Sequence, residues 1–286
     1  MNIDKLLEYN TEGFIPGPSE SMEAFEQRVS YCLNLPSNPD LPLPKETEGP
    51  KELIESAYPS STTLFDIKPH WIPIFFSNYQ LMPWHAGCAW IFQVSDQTPT
   101  AAFFQLRSHF KIHPSYLGIY QRDEIFAHEI AHVGRMMFEE PKYEEILAYQ
   151  TSKNKWRQYI GPLFQSGGET ALFVFLLLPL VLWDTYLLTM GYDTLYKATW
   201  WTKLIPVALL SLYFIRLWMR QTTFKKTLRR LGKAVGYENA HAVIYRLTDQ
   251  EIEIFSKITA DEIRRYAERQ RDKSLRWQVI AAAYFC

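Results

Sequence analysis

The spacing of apolar and polar positions divides the chain into four parts, of which the first is residues 1–60. Apolar side chains recur at helical spacing over Met22–Leu33, and Ser21 or Ser19 is placed to cap a helix there. Five prolines follow between positions 36 and 50, where they forbid regular structure. The pattern predicts a proline-rich N-terminal extension with one short helix, and it leaves open whether the proline segment is an ordered wrap or a solvated linker.

The second part, residues 61–168, begins with short aromatic and β-branched runs that are typical of strands. Residues 71–76, 88–94 and 101–106 each form such a run, and the segment between the last two can close a hairpin. Residues 116–120 are a weaker fourth candidate. The pattern predicts a small sheet, and the last strand of its hairpin could be the edge on which an extended peptide binds.

Two long apolar stretches make up the third part, residues 169–220. Residues 171–190 contain one charged side chain, Asp184, and residues 198–219 contain a lysine and an arginine near their ends. At about 1.5 Å of rise per residue, each stretch can cross a hydrocarbon core of roughly 30 Å. We expect a transmembrane helical hairpin, and the alternative is a buried helical hairpin in a soluble protein.

The positions of lysine and arginine predict how this hairpin is oriented, because such residues near span ends favour the cytoplasmic side. The basic residues in the connection and at the start of the second stretch are Lys197 and Lys203 alone. The basic residues before the first stretch and after the second are more numerous: Lys153, Lys155, Arg157, Arg220, Lys225, Lys226, Arg229, Arg230 and Lys233. The sequence predicts two spans, with the N- and C-terminal parts and the active site on the cytoplasmic side.

The fourth part, residues 221–286, is predicted to be helical. Thr248 and Thr259 are each followed three residues later by a glutamate, which is the capping-box pattern at the start of a helix. Residues 275–284 are largely apolar, and we expect this last helix to pack against a catalytic domain formed by residues 61–168.

Composition supports a folded protein and excludes some functions. Apolar residues make up 47% of the chain and aromatic ones 15%, which is enough for a hydrophobic core. The 30 basic and 31 acidic residues nearly balance, and no basic patch accompanies a recognition motif, so we expect no nucleic-acid partner. The three cysteines are far apart and lack CxxC spacing, which argues against a cysteine zinc site.

One segment carries recognisable chemistry, since His128, Glu129 and His132 form an HExxH motif. A helix places positions i and i+4 on one face, so both histidines can direct an imidazole nitrogen at one ion, and neutral imidazole suits zinc. Glu129 lies beside the first histidine and could act as the general base on a metal-bound water. Asp123 is the predicted N-cap of this helix.

A catalytic zinc site needs a third protein ligand and an open fourth position. Pro141 should end the HExxH helix, begin a second one and fold the chain back towards the metal. The acidic side chains in this returning segment are Glu139, Glu140, Glu144 and Glu145. Glu145 is favoured as the third ligand, and Glu144 is its main rival. Glu144 is also a candidate, with Arg135 and Tyr149, for supporting a ligand or the transition state without binding the metal.

Two further side chains near the motif have a functional and a plainer interpretation. Arg135 could pair with Glu144 or bind substrate, and it could equally be a solvated surface arginine. Tyr149 could donate to a developing oxyanion, although a packed core tyrosine is the more frequent case.

The motif HEIAH followed by Glu145-x-x-Ala148 resembles the gluzincin metallopeptidases. Among these it is similar to the membrane-bound prenyl-protein-type endopeptidases, which use HExxH and a glutamate heading a Glu-x-x-Ala-Asp motif. The resemblance covers residues 123–149, about a tenth of the chain. Tyr149 stands where that pattern has its aspartate, and both apolar stretches follow the motif, whereas those peptidases commonly place spans before or within it.

The resemblance implies a zinc-dependent metalloendopeptidase with a zincin-like α+β fold. It implies one Zn²⁺ per chain, with His128, His132 and Glu145 as ligands and Glu129 as general base. The substrate would be a peptide or a protein, including membrane-associated ones, and the lipid bilayer would be the other partner.

Two other classes of function are consistent with the sequence. The first is a non-catalytic membrane scaffold or adaptor that retains a metal site. The second is a metal-dependent oxidoreductase of the di-iron type, which needs two Glu-x-x-His motifs on separate helices, and only Glu129–His132 fits that pattern.

Overall fold

The computed structural model describes residues 1–35, 52–83, 85–95 and 97–285. This part of the chain is mostly helical and contains a small sheet, in agreement with the helical and strand segments of the predicted α+β class. In chain order the helices are α1 (Ile3–Thr11), α2 (Met22–Leu33), α3 (Glu52–Glu55), α4 (Tyr58–Phe65), α5 (Arg122–Gly134), α6 (Pro141–Tyr149), α7 (Lys155–Ile160), α8 (Gly167–Thr189), α9 (Asp193–Ala198), α10 (Leu204–Val235), α11 (Ala240–Tyr245), α12 (Asp249–Phe255), α13 (Ala260–Arg271) and α14 (Leu275–Tyr284).

The main sheet has three strands in the order β1-β3-β2. The strands are β1 (Ile74–Phe76), β2 (Gly87–Phe92) and β3 (Ala101–Leu106), so all three predicted runs contain a strand. β3 pairs in parallel with β1 and antiparallel with β2, which confirms the hairpin. The prediction that residues 101–106 form the sheet edge is wrong, because β3 is the central strand and β2 is the edge strand that contacts α5.

The weaker candidate at residues 116–120 is not one strand. It forms a tight turn between two short paired strands, β4 (Ser115–Tyr116) and β5 (Tyr120–Gln121). Leu117 and Gly118 at its tip both have positive φ, 53° and 69°, which reverses the chain within four residues.

The N-terminal helix over Met22–Leu33 is confirmed, and Ser21 rather than Ser19 caps it by accepting a hydrogen bond from the Ala24 N–H. Arg246, which is fully buried, donates to the Asn10 side chain and to the Phe65 carbonyl. The N-terminal helices are therefore packed into the same core as the helices at the other end of the chain. The predicted proline segment lies outside the described residues.

The HExxH segment forms α5, as predicted, but its ends differ from the prediction. Gln121, not Asp123, is the N-cap residue, and the Asp123 carboxylate instead pairs with Lys153 at 2.7 Å. The helix ends at Gly134, seven residues before Pro141, so Pro141 begins α6 but does not end α5. The intervening loop still brings α6 back against α5.

Two helical segments, Gly167–Thr189 and Trp200–Val235, are long and apolar enough to cross a membrane by length and composition. Of the 18 most apolar consecutive residues in each segment, 6% and 17% are buried. The core helix of a soluble protein, in contrast, is mostly buried.

Two ion pairs join α8 to the second of these segments, one near each end. Glu169 at the start of α8 accepts two hydrogen bonds of 2.6 Å from Arg216. Asp184 near its other end lies 3.2 Å from the Lys203 ammonium group. The one charged side chain of the first apolar stretch therefore has a basic partner.

α10 continues well beyond its apolar half. Phe224 and Leu231 in its second half are buried in the main core. Arg220 donates to the carbonyl groups of Lys142, at 2.9 Å, and Pro162, at 2.7 Å. One continuous helix thus joins the apolar hairpin to α6.

The C-terminal region is helical, as predicted. Both capping boxes are present, Thr248 with Glu251 at the start of α12 and Thr259 with Glu262 at the start of α13. The last helix, α14, has the predicted bounds, but it packs against α13 and α1, which lie outside residues 61–168. It reaches the expected partner region through the Tyr284 hydroxyl, which donates to Asp66 at 2.9 Å.

Candidate metal centre

α5 has one face in the core and one face towards α6. Phe126, Ile130 and Val133 are fully buried on the core face. His128 and His132 project from the other face, one helical turn apart, and their Nε2 atoms lie 3.2 Å from each other. The amphipathic pattern of the helix therefore directs both imidazoles to one point between α5 and α6.

Glu145 of α6 completes a cluster with these two histidines. Its carboxylate oxygens lie 3.8 Å from the His128 Nε2 atom and 3.7 Å from the His132 Nε2 atom. Ligand bonds of about 2.0–2.1 Å in a tetrahedral zinc site place ligand atoms roughly 3.3 Å apart. Two imidazole nitrogens and one carboxylate oxygen at these separations fit a zinc ion, and among the described residues this is the group of three metal-binding side chains that converges.

Glu144, the rival third ligand, has a different position. Its Oε1 atom lies 2.7 Å from the Nδ1 atom of His132, on the side of the ring away from the cluster. Because an ionised carboxylate can only accept, the Nδ1–H of His132 donates this hydrogen bond to Glu144, which fixes the orientation of the ring with Nε2 towards the cluster. The acid that supports a histidine is thus Glu144, next to the candidate ligand Glu145, while the position of the pattern's aspartate is taken by Tyr149.

Glu129 lies on the strand side of the cluster. Its Oε2 atom accepts a 2.7 Å hydrogen bond from the Ala89 N–H of β2. Burial raises the pKa of this carboxyl group. The general-base candidate is thus held by the edge strand of the sheet and separated from the three potential ligands.

The electrostatics around the two histidines favour a cation between them. Burial, and after it the charge of His132, lowers the pKa of His128 well below its usual value, which favours the neutral form that binds metals. Burial alone would lower the pKa of His132 too, but its hydrogen bond to Glu144 and the charges of Glu145 and Glu129 raise that pKa to about 9. Three carboxylates, those of Glu129, Glu144 and Glu145, therefore lie around the His132 ring.

A cavity of about 170 Å³ opens beside His128 and Glu129. Tyr149 lines it, and the Tyr149 ring meets the His128 ring edge-on with centroids 4.7 Å apart. Gly161 lies against the Tyr149 ring so closely that any larger side chain would collide with it. Burial raises the pKa of Tyr149 to about 12, so its hydroxyl is a hydrogen-bond donor at neutral pH.

Sequence reasoning missed several side chains that line this cavity: His85, Glu124, Ser152 and Arg157. Glu124 accepts hydrogen bonds from Ser152 and, at 3.0 Å, from Arg157. Helical spacing could have found Glu124, because it lies one turn before His128 on the same face of α5. No local signal marks Arg157, whose position depends on the fold between α5 and α7.

Arg135 does not line the cavity. It is buried and donates to the carbonyl groups of Tyr245 and, at 3.0 Å, Leu247. The Tyr245 hydroxyl in turn donates to the Ala131 carbonyl at 2.8 Å, in a space that Gly134 leaves open. These contacts fix the C-terminal half of α5, which carries His132, against α11.

Comparison with known proteins identifies no relative: no family model matches this chain, and neither a curated protein nor a solved structure does.

Proposed function

We propose that this chain is a membrane-anchored zinc metalloendopeptidase of zincin-like architecture. The observation that supports the proposal is the convergence of His128, His132 and Glu145 next to a separate carboxylate, Glu129, at the wall of an open cavity. His128, His132 and Glu145 would hold one zinc ion per chain, and the fourth position would face the cavity.

Bound zinc would polarise a substrate carbonyl and make a water molecule acidic enough to react near neutral pH. Glu129 would take a proton from that water and deliver it to the leaving amine. Its raised pKa suits this exchange, because a general base works best when its pKa approaches the working pH. The Ala89 N–H would hold one carboxylate oxygen in place meanwhile.

The substrate would bind as an extended peptide along β2. The Arg107 N–H donates to the Ala86 carbonyl, so residues 86, 88, 90 and 92 direct their backbone groups towards β3. The backbone groups of Gly87 and Ile91 therefore point to the open edge, on either side of Ala89, whose N–H bonds to Glu129. An added strand there would bring its peptide bonds past Glu129.

α8 and α10 would cross the bilayer as a hairpin. Their low burial and the large apolar side chains that they expose support this assignment over a soluble hairpin. The excess of lysine and arginine outside the connection supports a cytoplasmic location for the metal centre and both termini. Substrates would be peptides or proteins, including those at the membrane.

Replacing Glu129→Gln tests the peptidase proposal. Full-length protein in nanodiscs is incubated with a peptide library, and the products are measured by mass spectrometry. We expect cleavage to fall by roughly 10²–10⁴-fold, the usual contribution of a general base, while zinc content stays unchanged. Glu268→Gln, at an exposed position on α13, is the matched control and should cleave as the wild type does.

Wild-type cleavage by Glu129→Gln would exclude the proposed mechanism. Zinc binding by the wild-type chain without any cleavage would favour the non-catalytic scaffold.

A further inference from the structure

Several apolar side chains outside the hairpin are exposed next to it. Leu117 and Ile119, at the turn between β4 and β5, are 61% and 62% exposed, and Trp156 on α7 is 75% exposed. Leu117 also holds a left-handed φ of 53°, which is unfavourable for a leucine. Packing among the described residues therefore gives no reason for apolar groups at this position.

Ile119 and Trp156 border a groove that reaches the hairpin. Ile119, Trp156 and Ile160 form one wall of it, and Phe214 of α10 forms another. Its volume is about 680 Å³ and its lining is mainly apolar. The groove and the metal cavity share three lining residues, Tyr120, Tyr149 and Arg157, so the groove lies beside the cavity.

The position of Phe214 fixes the level of the groove relative to the bilayer. Phe214 lies five residues before Met219, the end of the apolar stretch, which corresponds to about 8 Å along the helix axis. If α10 crosses a membrane, Phe214 lies inside the apolar layer near its cytoplasmic boundary. Ile119 and Trp156, which share the groove with Phe214, must then lie at the same level.

Basic side chains lie next to these apolar ones. Lys155 is exposed next to Trp156. The Lys225 ammonium group lies 4.9 Å from the centroid of the Tyr159 ring, and Lys226 beside it is exposed. Aromatic rings with lysines beyond them are typical of the membrane–water interface, where lysine attracts anionic headgroups.

We propose that Leu117, Ile119, Trp156 and Phe214 form an interfacial surface that contacts the lipid bilayer. The β4–β5 turn and α7 insert into the boundary between acyl chains and headgroups, and the lysines contact anionic lipid. The metal cavity then opens at the membrane surface, within reach of segments that emerge from the bilayer. This inference rests on the membrane-crossing part of the proposed function and is independent of zinc and of peptidase activity.

Spin labels on the full-length protein test this surface. Single cysteines replace Ile119→Cys and Trp156→Cys in a background with Cys88→Ser and Cys286→Ser, and the protein is placed in nanodiscs that contain anionic lipid. Power saturation compares the access of oxygen, which concentrates in the bilayer, with that of a water-soluble nickel complex. Leu178→Cys in the middle of α8 is the bilayer reference, and Ile254→Cys, exposed on α12, is the aqueous reference.

We expect the labels at 119 and 156 to favour oxygen over nickel several-fold more than the label at 254, and less than the label at 178. Values equal to those at 254, with 178 still in the bilayer, would overturn the interfacial surface and leave the spans intact. Labels shielded from both reagents would indicate a protein partner instead of lipid. A label at 178 that the nickel complex reaches as readily as it reaches the label at 254 would overturn both the spans and the surface. Circular dichroism of each variant checks that the fold is retained.

Discussion

Glu144 and Glu145 are neighbours in the sequence, and their carboxylates act on different atoms of the same histidine. Successive residues of a helix point about 100° apart, so the side chains of α6 diverge towards opposite sides of the His132 ring. Glu145 faces the Nε2 atoms of both histidines, and Glu144 bonds to the outer nitrogen of His132. One helix thus provides both the candidate third ligand and the group that orients His132, another candidate ligand.

Zinc affinity should distinguish these two roles. Glu144→Gln keeps a hydrogen-bond acceptor for His132 but removes the charge, so we expect affinity to fall by roughly 10–100-fold, as for other partners of metal-bound histidines. Glu145→Gln removes a ligand charge directly and should weaken binding further. Competition with a chromophoric chelator measures both, and the reverse order of the two losses would exchange the roles proposed for the two glutamates.

At the residue scale, the sequence predicts the histidine pair because its spacing alone places both rings on one face. It leaves Glu144 and Glu145 as alternatives, because the choice depends on how α6 rotates against α5. Arg135 shows the same limit. Its buried contacts with the carbonyl groups of Tyr245 and Leu247 join residues more than a hundred positions apart, which no local pattern encodes.

At the scale of elements, a buried ion pair holds α12 to α14. Glu251 accepts two hydrogen bonds from Arg276, at 2.8 and 2.9 Å, and one from the Trp277 indole at 2.6 Å. Both charged side chains are less than a tenth exposed. Burial alone would raise the pKa of Glu251, but Arg276 and the hydrogen bonds outweigh it and lower that pKa.

Glu251→Gln should destabilise the protein by about 3–5 kcal/mol, because Arg276 remains buried without a counter-ion. Glutamine still fits the capping box with Thr248, so the change isolates the charge. Denaturant unfolding in detergent measures the effect. Asp261→Asn, in an exposed pair with Arg264, is the control and should change stability by about 0.5 kcal/mol or less.

The same pair predicts a pH dependence. A carboxyl group with a lowered pKa in the folded state stabilises the protein fully above its unfolded pKa, near 4.5, and this contribution is lost as the pH falls through the folded value. The stability difference between the wild type and Glu251→Gln should therefore be constant near neutral pH and shrink only in acid. A difference that grew in acid would have the wrong sign for this pair.

Elements with local signals are predictable from the sequence, and their mutual arrangement is less so. The capping boxes and the bounds of α14 follow from short patterns. Strand order does not, because the parallel pairing of β1 with β3 joins segments about thirty residues apart and turns the expected edge strand into the central one. The site depends on this order, since β2 at the edge supplies the Ala89 N–H to Glu129.

At the scale of the whole molecule, α10 links the hairpin to the candidate metal centre. Its apolar half lies against α8, and its second half is packed in the core. Between the two, Arg220 bonds to the Lys142 carbonyl at the start of α6, the helix that carries Glu145. The separate patterns of the apolar stretch and the helical tail do not reveal that one helix spans both.

A zinc count on the purified full-length protein tests most directly whether His128, His132 and Glu145 bind a metal. After exposure to zinc and removal of excess, we expect one zinc per chain in the wild type and almost none in His128→Ala. His113→Ala, at an exposed histidine that stacks on His109, is the control and should retain the metal. A wild-type chain without zinc, or equal zinc in His128→Ala, would contradict the proposed centre.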